Sequence, residues 1–146
     1  ASFAPDVFTA FAPAAYHLAR ELTTSLLKDD PTLTPPFPGV FTTATFGVGP
    51  RIVGDVQHPG AAPWCWIALT ALGSFDPERG GHIIFWDLGR VLQFPPGATI
   101  LMPSLLRYTI ADIQEGETRY SLTRYLAASE VWQRWPAAPI LFSKLH

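Results

Sequence analysis

Polar side chains recur on one face of a segment in the last quarter of the chain. The segment spans residues 116–125 and reads GETRYSLTRY. At the two-residue period of a β-strand, Arg119, Ser121 and Thr123 lie on the same face. The planar guanidinium of arginine suits a carboxylate or a phosphate, because it offers two parallel hydrogen bonds. The segment therefore predicts either an anion-binding pocket or an edge strand with a solvated polar face, and both interpretations stay open at this point.

Composition and charge exclude several classes of protein. The chain has 146 residues, of which 48% are hydrophobic and 15% charged, so we expect a single domain over residues 1–146. The net charge of −2 gives no general attraction to nucleic acid. Cys65 is the only cysteine, which rules out an intrachain disulfide and a cysteine zinc site.

The chain holds no apolar run long enough to span a bilayer, so we expect no membrane association. We expect an intracellular protein of the cytoplasm or nucleus. The sequence begins with Ala1 rather than methionine, and we expect it to lack its original N-terminus.

One helix is predicted near the start of the chain, over residues 13–28. Pro13 suits a first-turn position, Lys28 suits the C-terminal end, and Pro31 prevents continuation. Apolar residues recur at helical spacing on one face: Ala15, Leu18, Leu22 and Leu26.

From residue 41 onward the pattern changes to about eight short strands separated by turns. Pro96 and Gly97 suit the central positions of a type II turn. Short strands after one helix predict a β-sandwich or jelly roll with the helix packed outside and a β core over about 41–127. Residues 131–146 are predicted to form a strap that packs on the sheet. The predicted strands are 41–46, 51–53, 65–72, 82–86, 91–94, 98–102, 108–113 and 116–125.

Four blocks of the sequence resemble the TET/JBP-like dioxygenases that are abundant in mushroom-forming fungi. The resemblance implies a double-stranded β-helix and chemistry that depends on 2-oxoglutarate and Fe(II). The blocks are TATFGVGPR (43–51), WCWIALTALGSFDPERGGHIIFWDL (64–88), FPPGATILMPS (94–104) and IQEGETRYSLTRY (113–125).

The resemblance also implies roles for residues of the polar strand. Arg119 matches the arginine that clamps the distal carboxylate of 2-oxoglutarate, and Ser121 stands where a side chain assists it. The family has its second histidine ligand eleven residues before the arginine, where this chain has Tyr108. The distal iron ligand is therefore expected to be lost.

The first pair of family ligands, His-x-Asp, is also expected to be incomplete. Aligned from the preceding GPR, His58 falls near the histidine position and Gly60 takes the place of the aspartate. Aligned from Cys65, the two positions become Gly54 and Val56. His58 is thus the one candidate metal ligand, with a site that also includes Asp55 as an alternative. A halogenase, in which halide replaces the carboxylate, is disfavoured because it would keep the distal histidine.

Two functional hypotheses follow from these residues. In the first, the chain has lost its iron site and binds a small carboxylate, another small ligand or a partner through Arg119, Ser121 and Tyr108. Trp64, Trp66 and Trp86 are then either pocket walls or core residues. In the alternative, the chain is an active oxygenase that uses 2-oxoglutarate and Fe(II) at an atypical metal site.

Overall fold

The computed structural model describes residues 3–35, 39–49, 52–56, 60–62 and 65–129, with backbone alone at 3–5 and 52–56. Two helices come first, α1 (Phe3–Phe11) and α2 (Pro13–Asp29). Among the described residues, neither is long and apolar enough to cross a membrane. The strands are β1 (Thr43–Val48), β2 (Ile52–Val56), β3 (Trp66–Ser74), β4 (Ile83–Phe85), β5 (Arg90–Leu92), β6 (Thr99–Pro103), β7 (Tyr108–Ile110) and β8 (Thr118–Tyr125).

The strands form two four-stranded antiparallel sheets with the crossovers of a jelly roll. The first sheet has the order β1-β8-β3-β6, and the second has the order β2-β7-β4-β5. Strands that are close in sequence mostly lie in different sheets, so the chain passes repeatedly from one sheet to the other. The fold is the predicted double-stranded β-helix.

Two apolar layers hold this architecture together. One fills the space between the sheets, with Leu69, Ile83 and Phe94 almost completely buried. The other lies between the helices and the outer face of the first sheet, where Leu26 and Ala68 are buried. Strand β3 is therefore covered on both faces, as its unbroken apolar run predicts.

Helix α1 was not predicted, and the prediction of one helix is wrong in this respect. Nine residues are too few to hold a helix in isolation, so tertiary packing must stabilise it. Phe8 supplies that packing, because its ring lies 5.6 Å from Tyr16, 6.1 Å from Phe41 and 5.7 Å from Trp66, between centroids.

The predicted turn between β5 and β6 is confirmed. The amide of Ala98 donates to the carbonyl of Pro95 at 3.1 Å. Gly97 has φ +87°, which the third position of a type II turn requires. The turn carries the chain from one sheet to the other beside a buried residue, Phe94. The predicted strap at 131–146 lies outside the described residues.

Candidate functional site

Strand β8 turns its polar face into the molecule. Arg119, Ser121 and Thr123 are buried, whereas Thr118 and Tyr120 are exposed. The strand pairs with β1 on one side and with β3 on the other, so it is a central strand. The alternation of its side chains is as predicted, and the edge-strand interpretation is wrong because both edges of β8 are already hydrogen-bonded.

The guanidinium of Arg119 lies among aromatic rings. Its central carbon is 5.7 Å from the ring centroid of Phe75 and 5.6 Å from that of Phe94. Rings at this distance attract a cation through their electron-rich faces. They also restrict the side chain, whose residue is only 3% exposed. The arginine is thus held in a defined place between the two sheets.

Two donors of Arg119 have no hydrogen-bond partner among the described residues. They are Nε and Nη2, and both are buried. These nitrogens lie on the same edge of the planar group, so their N–H bonds form one fork that matches the two oxygens of a carboxylate. A buried charge without such a partner is costly, and burial lowers the pKa of Arg119 to about 10. The side chain remains a cation at neutral pH.

Tyr108 faces the same interior from the opposite sheet. It is 2% exposed, and burial raises the pKa of its hydroxyl to about 12, although the charge of Arg119 acts in the other direction. The two predicted site residues are therefore near enough for the charge of Arg119 to influence the pKa of Tyr108. At neutral pH the phenol keeps its proton and is available as a hydrogen-bond donor.

Ser121 lies opposite a glycine of the neighbouring strand. It pairs with Gly47 of β1, and a β-carbon added at Gly47 would come within 2.5 Å of the Ser121 Oγ. Glycine therefore leaves room for the serine hydroxyl at this register position. Further along the same buried face, the Tyr125 hydroxyl lies 3.2 Å from the Thr45 Oγ1.

A pocket of about 310 Å³ adjoins Arg119 at the end of β8, and one side of it is open to solvent. Glu117 is its one acidic residue among those described, and both carboxylate oxygens are engaged. They accept from the backbone amides of Asp76 and Gln114, each at 2.8 Å. The pocket is lined by Val48, Gly49, Ile113, Glu117, Thr118, Arg119 and Tyr120.

The described side chains do not supply the donors that Fe(II) requires. No group of three His, Cys, Asp or Glu side chains converges within the described residues. Tyr108 is a neutral phenol at pH 7, because burial raises its pKa to about 12. His58 and the side chain of Asp55 lie outside the described residues, so their metal role stays a prediction.

Asp87 and two of the candidate tryptophans have partners within the fold. Asp87 accepts from Arg107 Nη2 at 2.7 Å and from its Nε at 2.8 Å, which lowers the pKa of this carboxyl. Trp66 packs against Phe8 beneath the helices. Trp86 is half-exposed and donates to the Thr109 Oγ1 at 3.2 Å. Neither of these two tryptophans lines the pocket, and Trp64 lies outside the described residues.

Sequence reasoning missed the two phenylalanines that flank Arg119. Phe75 follows β3 and Phe94 precedes the type II turn, so they are far from Arg119 in sequence. The strand pattern gives no signal that both rings meet one guanidinium. Only the crossing of the chain between the sheets brings them there.

Comparison with known proteins bears on the fold alone. No protein-family model matches the sequence, and no curated protein matches it. Among solved structures, the chain is similar to NgTET1, which was determined in complex with 5mC DNA. The TM-score is 0.64 at 12% sequence identity, over 88% of this chain and 47% of that one. The chain therefore spans about half the length of NgTET1, and it shares the fold of the part of NgTET1 that it matches.

Proposed function

We propose that this protein is a dioxygenase-like β-helix protein that binds a small carboxylate at Arg119 and acts as a binding module without a metal. One observation carries the proposal. A buried guanidinium, held between Phe75 and Phe94, has two donors on one edge with no partner among the described residues. An anion with two oxygens would satisfy both donors together.

The neighbouring groups support a carboxylate in particular. Ser121 and the protonated Tyr108 each offer a hydroxyl donor on the interior side of the two sheets. Both are neutral at pH 7, so Arg119 provides the single positive charge of this set. One cation with neutral donors matches a singly charged carboxylate, because a multiply charged ligand would retain uncompensated charge in a dry interior.

The energetic argument also favours a ligand. Removing a charge from water without a partner costs several kcal/mol. Hydrogen bonds from Arg119 to a bound carboxylate would offset part of this cost. Binding would therefore stabilise the folded protein, by an amount that grows with the logarithm of ligand concentration. We propose that the apparent stability of the protein reports on occupancy of the site.

A second candidate function is an oxygenase that uses 2-oxoglutarate and Fe(II) at an atypical site. The similarity in fold to NgTET1 favours it. It requires His58 to act with further ligands outside the described residues. We also propose descent from the TET/JBP-like family of mushroom-forming fungi, on the four sequence blocks given above, and a single-domain organisation for residues 1–146.

The test is carboxylate binding in the presence of a metal chelator. Calorimetry is expected to detect binding of acetate, and weaker binding of the dicarboxylates succinate and 2-oxoglutarate, and this binding is expected to be lost in Arg119→Met. Arg90→Met serves as the matched control, because Arg90 is an exposed strand arginine in the other sheet. If no carboxylate binds, or if the Arg119→Met variant binds as the wild type does, the proposal is wrong.

The oxygenase alternative is tested separately. Fe(II) and ascorbate are added to chelator-free protein, and conversion of 2-oxoglutarate to succinate is followed. Turnover that disappears in His58→Ala would establish the alternative over the binding module. Carboxylate binding without turnover would leave the binding module as the function.

A further inference from the structure

Strand β1 forms one edge of the first sheet. It pairs with β8 on one side, and no strand of the described residues pairs with its other side. The backbone N–H and C=O groups that point away from β8 are therefore open to a strand of another chain. The six residues of β1 give this edge a length of about 20 Å.

The sequence of β1 lacks the residues that usually protect a strand edge. Charged side chains and proline are such residues, because they oppose pairing with a further strand. The other three edge strands each contain one of them: Asp55 in β2, Arg90 in β5 and Pro103 in β6. β1 reads TATFGV and contains neither a charge nor a proline. Two copies joined through β2 or β5 would bring like charges together, whereas two β1 strands meet without this repulsion.

The side chains on the outer face of β1 are apolar and exposed. Phe46 is 66% exposed and Val48 is 81% exposed. They lie on the face of the sheet that the helices cover further along, around the buried Ala68. Single exposed apolar residues are ordinary, but these two are neighbours on one face of an unprotected edge. The edge thus offers both backbone groups and apolar side chains to a partner.

We infer that β1 pairs antiparallel with β1 of a second copy of this chain, so that the first sheets of two copies join. An antiparallel pair of identical strands has two-fold symmetry, so the interface closes on two copies and does not grow into a filament. Opposite residues in such a pair lie on the same face. A register centred on Phe46 therefore places it against Phe46 of the partner subunit, and places Ala44 against Val48 of the partner subunit.

The size of this interface predicts a reversible dimer. Permanent dimers bury a much larger surface than one pair of six-residue strands provides. A dissociation constant on the order of micromolar is expected. The inference goes beyond the proposed function and does not depend on a ligand at Arg119.

The test is sedimentation velocity from low micromolar to several hundred micromolar protein. The average mass of the wild type is expected to rise from that of one chain toward that of two. Phe46→Lys is expected to raise the dissociation constant by about tenfold or more, because two ammonium groups would meet across the two-fold axis. Val91→Lys is the matched control, since Val91 is also an exposed valine of an edge strand but lies in the other sheet. Val48→Lys serves as a second variant if Phe46→Lys does not fold.

A mixture of Phe46→Lys and Phe46→Glu tests the register. Each variant alone is expected to be monomeric, and the mixture is expected to form a heterodimer because opposite charges then face each other. A mixture that stays monomeric refutes the pairing centred on Phe46. A wild type that is monomeric at every concentration overturns the inference, and so does a dimer that Val91→Lys weakens as strongly as Phe46→Lys.

Discussion

Replacing Arg119 with methionine is expected to make the unliganded protein more stable. The fall in the pKa of Arg119 from 12.5 to about 10 corresponds to roughly 3 kcal/mol against the charged form in the folded protein. Attraction to the rings of Phe75 and Phe94 offsets about 1–2 kcal/mol of this cost. Methionine carries no charge, and its contacts with the aromatic rings replace the apolar contacts of the arginine stem that are lost.

The net expectation is a gain of about 1–2 kcal/mol in the free energy of unfolding. For a chain of this length, that gain corresponds to an increase in Tm of about 3–8 °C. The measurement is thermal and urea unfolding in a buffer free of carboxylate and phosphate. Arg90→Met, at an exposed position, is expected to change stability by less than about 0.5 kcal/mol.

A bound carboxylate is expected to make the wild type more stable than Arg119→Met, which reverses their order without ligand. A saturating carboxylate should raise the Tm of the wild type and leave that of Arg119→Met unchanged, because the proposed site is present only in the wild type. If Arg119→Met is instead less stable than the wild type without ligand, the guanidinium is satisfied inside the protein. The inference that Nε and Nη2 of Arg119 lack a partner in the unliganded protein would then be wrong.

Three further variants or reagents test individual features. Gly47→Ala is expected to lower the free energy of unfolding by about 1–2 kcal/mol, because its β-carbon would lie 2.5 Å from the Ser121 Oγ. Adding Ser121→Ala should restore most of that loss in urea unfolding, since the β-carbons at the two positions are 3.8 Å apart. Cys65 is 1% exposed and burial raises its pKa to about 12, so a thiol reagent near pH 8 should modify the native protein only through opening of the helix layer; a rate close to that of a free thiol would contradict this. The raised pKa of Tyr108 means that the folded state holds this proton more tightly, so its contribution to stability is lost as pH rises from about 10 to 12. Tyr108→Phe removes that loss, so the Tm of the variant minus that of the wild type should increase between about pH 9 and pH 11. A difference in Tm that stays constant over this range would show that Tyr108 does not titrate in it.

Local patterns in the sequence predict much of what positions the site. The two-residue period of β8 correctly separates its buried residues from Thr118 and Tyr120, because side chains of a strand alternate whatever the strand pairs with. The proline and glycine of the type II turn are equally local, since Gly97 needs a positive φ. Each of these features depends only on a few neighbouring residues.

Long-range pairing decides the rest. Nothing near β8 in sequence indicates that it pairs with β1, where Thr43 meets Tyr125 across the sheet. Because β8 also pairs with β3, the pairing with β1 makes it a central strand and not an edge strand. Helix α1 likewise depends on the burial of Phe8 against residues of α2 and β3, which its own nine residues do not reveal.

The fold itself does not require a charge at position 119. The layer between the sheets is filled by apolar residues such as Leu69, Ile83 and Phe94, and a neutral side chain would add to it at a lower cost. Stability is commonly given up where a protein binds or reacts, because a group that is satisfied inside the fold is not available to a ligand. Nε and Nη2 of Arg119 have no partner among the described residues, and the guanidinium carbon lies 5.7 Å and 5.6 Å from two ring centroids, so the proposed site would be of this kind. The cost to stability and the proposed capacity to bind a carboxylate would therefore be two consequences of the same buried guanidinium, and measuring both in one variant tests them together.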